Sequence, residues 1–153
     1  MPGGFFADAD FDFEAREALG RVANGTGDVG LILAVLDQIV DSDRQSWFDS
    51  WTGMASTLAG QGEEAVRRGH LQTASWALLT AAAYYAKALT AVYGLADQSV
   101  LMPTFREQQR CWEGVIDASA GRFVRVQVLY EGTTLPGYLL RPAVPGRPGR
   151  RSS

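Results

Sequence analysis

The chain has 153 residues, enough for one domain with a real core, with 46% hydrophobic and 20% charged residues, a globular rather than a disordered balance. A net charge of -3 and a pI near 5.1 exclude a general attraction to nucleic acid or anionic membrane. Arginine carries nearly all the positive charge, Lys87 being the sole lysine, which reads with the abundant alanine as a genomic GC bias.

In chain order, residues 1–11 read as a flexible N-terminus. Phe5 and Phe6 precede Asp8, Asp10 and Asp12, with no basic region and no long apolar core, so a secretory signal is not expected. No run approaches the ~20 apolar residues of a spanning helix. The expected location is cytoplasmic, and the single cysteine, Cys111, fits a reducing compartment.

Residues 12–120 carry helical periodicity, predicting a bundle of about four or five helices. Leu31, Ile32, Val35, Leu36, Ile39 and Val40 follow Asp28, a candidate N-cap. Asp43 is placed to cap the next helix, whose stripe is Trp47, Phe48, Trp51, Met54, Ala55 and Leu58. Gly60 and Gly62 suggest a break there, and Gly69 a C-terminal cap. A small-residue helix follows over about 71–93, expected to be central because alanine faces allow close approach, with Gly94 ending it. Another is expected after Pro103, carrying Phe105, Trp112, Val115 and Ile116 and stopping near Gly121.

Residues 121–142 predict a β-hairpin. Val124, Val126, Val128 and Tyr130 share one face at period two, and Glu131-Gly132-Thr133-Thr134 supplies the turn. A lone hairpin is marginal in water and needs a partner sheet or helical layer. Residues 143–153, rich in Pro, Gly, Arg and Ser, read as a disordered tail. The fold class is therefore α+β, a helical bundle followed by a hairpin.

Chemical motifs are sparse. Gly25-Thr26-Gly27-Asp28-Val29-Gly30 has dinucleotide-binding spacing, with Asp49 where a ribose-binding acid would stand, but helix rather than strand precedes it, so an interhelical loop is expected. Asn24-Gly25-Thr26 is a glycosylation sequon that needs a secretory route to matter. His70, the only histidine, has no catalytic group beside it in sequence and reads as structural; Cys111 reads as packing. Glu63, Glu64, Arg67 and Arg68 form i,i+4 pairs of an exposed helix. No Gly-x-Ser-x-Gly elbow and no phosphate loop occur, and one His and one Cys build no metal cluster. No catalytic, cofactor-binding or metal residue is assigned. Trp47, Trp51, Tyr84 and Tyr85 are the candidates for lining a pocket, against the alternative that they are core.

The segment Val128 to Pro142, with Tyr130-Glu131-Gly132-Thr133-Thr134 and Pro136-Gly137-Tyr138-Leu139-Leu140, resembles the opening strands of α/β-hydrolases that carry a helical N-terminal domain. That group includes 2,6-dihydroxypseudooxynicotine hydrolase, the fermentation/respiration-switch esterases and acylaminoacyl-peptidase-like enzymes. Trp47 to Trp51, Gly69-His70-Leu71 and Ala81-Ala82-Ala83-Tyr84-Tyr85 are similar in pattern to the group's helical cap. The resemblance covers roughly residues 12–142. It implies a cap over residues 12–120, a hairpin opening an incomplete hydrolase sheet, and a Ser–His–Asp hydrolase of ester, amide or C–C bonds in a small organic substrate.

None of the three catalytic groups maps onto this sequence, so the chain alone is expected to be inactive, with a small-molecule substrate only if a catalytic domain is present. Such helical domains also imply pairing into a homo-oligomer. A fragment, or a frame change near Gly146, would account for the Pro-Gly-Arg ending; a family sequence in another frame beyond codon 146 would support the second, and stops in every frame would sink it. A free-standing helical interaction module, similar to a tetratricopeptide repeat, is the rival reading, although no repeat of ~34 residues is visible.

Overall fold

Asp8 starts the first helix. Its carboxylate accepts from the amides of Asp10 and Phe11, two donors a helix N-terminus otherwise leaves unpaired, so α1 spans Ala9–Gly20. The structure, a computed structural model, describes residues 4–142. Within them the helical layer begins earlier than the expected 12, and Phe6 packs edge-on against Phe11 at 5.7 Å. The flexible start expected up to residue 11 is corrected for the segment from Phe6 onward, because an aromatic anchor and a cap hold it. The tail expected at 143–153 lies outside the described residues.

Asp28 and Asp43 both act as the caps that the sequence suggested, opening α2 (Val29–Leu36) and α3 (Arg44–Arg67). Helix α3 runs its 24 residues without the break expected at Gly60 and Gly62. It ends in a Schellman motif: His70 N–H donates to Ala65 O at 2.8 Å and Gly69 N–H to Val66 O at 3.0 Å, with Gly69 at φ 74°. That turn reverses the chain into α4 (Leu71–Leu89), which gives way to a short 3-10 turn at Val92–Gly94 rather than continuing to Tyr93. Helix α5 (Leu101–Ala118) carries Pro103 in its first turn, where a missing N–H costs nothing.

Helix α4 is central, packed between α3 and α5. Its buried face is Ala74, Ala77, Leu78, Ala81, Ala82, Tyr85 and Ala88. Leu78 is held from both sides by glycines: a Cβ at Gly62 of α3 would stand 2.6 Å from its Cγ, and one at Gly114 of α5 2.7 Å from its Cδ1. Gly62 is therefore a recess for Leu78, not a helix breaker.

Strands β1 (Phe123–Tyr130) and β2 (Thr133–Leu140) pair antiparallel, Val124 opposite Leu139 and Arg125 opposite Tyr138. The turn is the two residues Glu131 and Gly132, both at positive φ (46° and 80°), a type I′ geometry shorter than the four-residue turn expected. Phe123 and Tyr138 on one face meet Trp112 of α5, with ring centroids at 5.7 Å in each pair. The helical layer thus meets the Phe123–Arg125 face only at that end of the hairpin, and both faces stay largely open, with Val128, Leu135 and Leu139 about half exposed on one and Leu129 and Leu140 83% and 57% exposed on the other.

Candidate functional site

The four aromatic candidates belong to the core and do not gather in one pocket. Trp47 and Trp51 are 1% and 0% exposed, Tyr84 2% and Tyr85 6%. Phe11, Trp47, Trp51 and Tyr84 form a chain of ring contacts at 4.8, 5.8 and 5.0 Å. Trp47 Nε1 donates to Lys87 O at 3.1 Å, tying α3 to α4. Tyr84 reaches a cavity on one side of α4, and Tyr85 a shallow one beside Thr104 and Glu107.

The concave surface is built by other residues. A cavity of about 290 Å³ lies between α1, the 3-10 turn Arg21–Asn24 and α4, lined by Glu14, Glu17, Arg21, Thr26, Tyr84 and Lys87. A second, of about 620 Å³, lies between α4, α5 and the hairpin, with Ala82, Phe105, Trp112, Glu113, Pro136 and Tyr138 in its wall. Arg21, Ala83 and Ala86 line both, so the two adjoin as one groove. Ala82, Ala83 and Ala86 of α4 form part of its floor, and where the side chains are single methyls a hollow remains.

Lys87, the lone lysine, is buried at this groove. Its ammonium sits between the carboxylates of Glu14 and Glu17 and donates to Glu14 O at 3.1 Å, while Arg21 pairs with Glu17. Burial raises the Glu17 pKa, but the hydrogen bonds from Lys87 and Arg21 outweigh it and leave the group below the usual carboxylate range. Burial pushes Tyr84 up to about 12, so its phenol stays neutral. At the other end the Tyr138 hydroxyl donates to Glu113, and Arg125 bridges Glu113 and Asp117, the latter at 2.9 Å. None of Glu14, Glu17, Trp112 or Tyr138 stood out in sequence as a site residue. The one available signal was a single lysine inside an alanine-rich helix, which an apolar helix retains only if carboxylates meet it.

The remaining sequence motifs have structural positions. Residues 25–28 form the loop between the 3-10 turn and α2, and helix, not strand, leads into it. Asp49 lies on α3, accepting from Gln45 at 2.9 Å. His70 is exposed at the start of α4 and makes no side-chain cap. Cys111 is 1% exposed, and burial raises its thiol pKa, which suits packing rather than nucleophilic attack. Glu64 pairs with both Arg67 and Arg68, whereas Glu63 reaches across to Arg110 of α5. Among the described residues no cluster of three His, Cys, Asp or Glu could hold a metal ion, and no helix is long and apolar enough to cross a membrane.

No family model matches the chain. Similar curated proteins are hydrolases: the α/β-hydrolase xenA of Xenoacremonium sinensis is 32% identical over 90% of this chain, the hydrolase acrC of Aspergillus aculeatus 29% over 90%, and the α/β-hydrolase pydG of an Acremonium species 29% over 86%. The chain spans about a third of the length of each, between 31% and 33%. Among solved structures, 2,6-dihydroxy-pseudo-oxynicotine hydrolase superposes with a TM-score of 0.66 at 20% identity, over 84% of this chain and 34% of that one.

Proposed function

The chain fits the N-terminal portion of the α/β-hydrolases, helical layer first and hairpin second, and from that premise we propose that it is the cap of a serine hydrolase acting on ester, amide or C–C bonds of a small organic substrate. The nucleophile, its histidine and the acid would come from the remaining two thirds of such an enzyme, and these residues alone would not turn over substrate. The cap's contribution is to exclude water and to shape access. The observation that carries the proposal is the groove itself, which is built from both the helical layer (Ala82, Ala83, Ala86, Trp112) and the hairpin (Pro136, Tyr138).

The test is a graft. Residues 4–142 replace the corresponding third of the Xenoacremonium sinensis hydrolase, and hydrolysis of p-nitrophenyl acetate and p-nitrophenyl decanoate is followed. Ala86→Trp, which fills the groove, should lower kcat/KM for the long ester by about tenfold or more while sparing the acetate. Equal effects on both esters would remove the groove from the substrate path. The hydrolase relatives disfavour a free-standing helical interaction module. A cytoplasmic location is part of the proposal, supported by the lone buried Cys111; recovery from a secreted or membrane pool on cell fractionation would end it.

A further inference from the structure

The larger cavity is walled by one stripe from each of two helices. Leu79, Ala82, Ala83 and Ala86 come from α4, and Phe105, Gln108, Gln109 and Trp112 from α5, each set at i, i+3, i+4 and i+7. The α4 stripe is mostly methyl groups; the α5 stripe is two rings with two carboxamides between them. Pro136 and Tyr138 of β2 complete the wall. At about 620 Å³ the space lies within the usual range of small-molecule sites, about 300–1,000 Å³.

One ring of this wall is fixed before any ligand arrives. Trp112 is half-buried and stands edge-on to Phe123, which lies outside the cavity wall, and to Tyr138, which is part of it, at interplanar angles of 72° and 86°. Tyr138 is itself held, its hydroxyl donating to Glu113, which Arg125 also grips. A ring already immobilised loses little freedom on binding.

The ionised groups of the wall are both taken. Arg21 pairs with Glu17, and Glu113 with Arg125. An incoming ion would have to compete with one of those partners, whereas a neutral group would not. Gln108 and Gln109 differ from them: neither carboxamide has a hydrogen-bond partner among the described residues, and Gln108 is the half-buried one of the two. A carboxamide offers both a donor and an acceptor without a charge.

We propose that this slot binds a flat, uncharged aromatic ring system bearing a carbonyl or carboxamide, with the ring against Trp112 and Phe105 and the polar group on Gln108. The proposal rests on the cap reading and deepens it, since it names the part of the substrate that the cap selects and the residue that selects it. An aromatic ring gains from edge and offset contacts with the α5 rings beyond the area it buries, and a saturated ring of similar outline does not. The methyls of Ala82, Ala83 and Ala86 leave room for its other face.

Binding to the intact chain tests this without any catalytic domain. Naphthalene-2-carboxamide, decahydronaphthalene-2-carboxamide and naphthalene-2-carboxylate are titrated while NMR follows the Trp112 indole N–H and the backbone amides of Ala82, Ala86 and Gln108. The aromatic carboxamide should bind about 2- to 10-fold more tightly than the saturated one, the value of an aromatic pair, and more tightly than the carboxylate. Gln108→Leu should weaken both carboxamides about 2- to 10-fold, the value of one net hydrogen bond, and keep the aromatic preference. Trp112→Leu should remove that preference, and the amides of Phe123 and Tyr138 report whether the hairpin stays docked in it. If it does not, Gln108→Leu and Ala86→Trp decide, since both leave the hairpin contacts in place and the second should abolish binding of either carboxamide.

Equal binding of the two carboxamides, binding of the carboxylate as tight or tighter, or shifts that bypass Trp112 and Gln108 overturn the proposal. So does a Gln108→Leu variant that binds both carboxamides as before. A retained aromatic preference alongside equal effects of Ala86→Trp on the two esters of the graft would sink the cap reading alone; the reverse pattern would sink this proposal alone.

Discussion

At Gly60 and Gly62 the same residue type, two positions apart on one helix, is present for different reasons. A Cβ at Gly60 would meet nothing within 4 Å, whereas one at Gly62 would stand 2.6 Å from Leu78 Cγ and 2.8 Å from its Cδ2. Leu78 cannot retreat, because Gly114 of α5 receives its Cδ1 from the other side. Replacing Gly60 with Ala should therefore raise stability by about 0.5–1 kcal/mol, the helix-propensity gain. Replacing Gly62 with Ala brings the same local gain but forces apart the α3–α4 contact, at an overpacking cost of about 1–3 kcal/mol. Chemical denaturation of the two variants should move the midpoint in opposite directions. A Gly62→Ala midpoint shifted up as far as that of Gly60→Ala would show that the recess has no structural role.

Elements whose signals are local were legible in the sequence, and those decided by a distant partner were not. Asp28, Asp43 and Gly69 are caps whose partners lie within five residues, so composition and position sufficed. The uninterrupted α3 was hidden because the space at Gly62 is created by Leu78, sixteen positions on. The hairpin was legible as two strands, but the face that touches α5 was not: the valine alternation pointed to one face, and Trp112, Glu113 and Asp117 of α5 engaged the other through Phe123, Tyr138 and Arg125. For the same reason the groove was invisible, being assembled from α1, α4, α5 and β2, while of the aromatic residues that suggested a pocket Trp47 and Trp51 fill the core and Tyr84 and Tyr85 each border a different cavity.

The attachment of the hairpin carries a pH dependence. The Tyr138 hydroxyl foremost, then Arg125, holds the Glu113 carboxyl below its ordinary value despite some desolvation. A lowered folded pKa means that the unfolded or undocked state binds more protons as acid is added. The contribution is thus fully present above the free glutamate value of about 4.3 and is lost as pH falls through the folded pKa. Acidification below about pH 4 should raise hydrogen exchange in β1 and β2 before it does so in α3 and α4, since an undocked hairpin is marginal. Glu113→Gln should flatten that dependence; an unchanged acid response in this variant would assign the effect to another group.

On the scale of the whole molecule, the helical layer is a finished object and the hairpin is not. The helical core is closed, Trp47, Trp51, Ile32, Val35 and Val92 all being 2% exposed or less. The hairpin touches α5 through Phe123, Arg125 and Tyr138, but both of its faces stay open, with Val128, Leu135 and Leu139 55%, 48% and 53% exposed on one and Leu129 and Leu140 83% and 57% on the other, and among the described residues each strand pairs only with the other. Open strand edges beside an apolar face form a template for any chain that can add a strand. In an enzyme three times as long, that template would be consumed by the rest of the sheet. In the chain by itself, a second copy is the available substitute. Sedimentation should therefore show concentration-dependent association driven by the hairpin. Val128 and Leu135 are cross-strand partners on the valine face, so the double change Val128→Lys with Leu135→Glu places an opposite-charge pair there and keeps the strands matched. That variant should sediment as a monomer with its helical circular dichroism intact. Association that persists unchanged in it would move the contact to the helical layer, where the exposed Tyr93, Leu101 and Met102 would be the next surface to substitute.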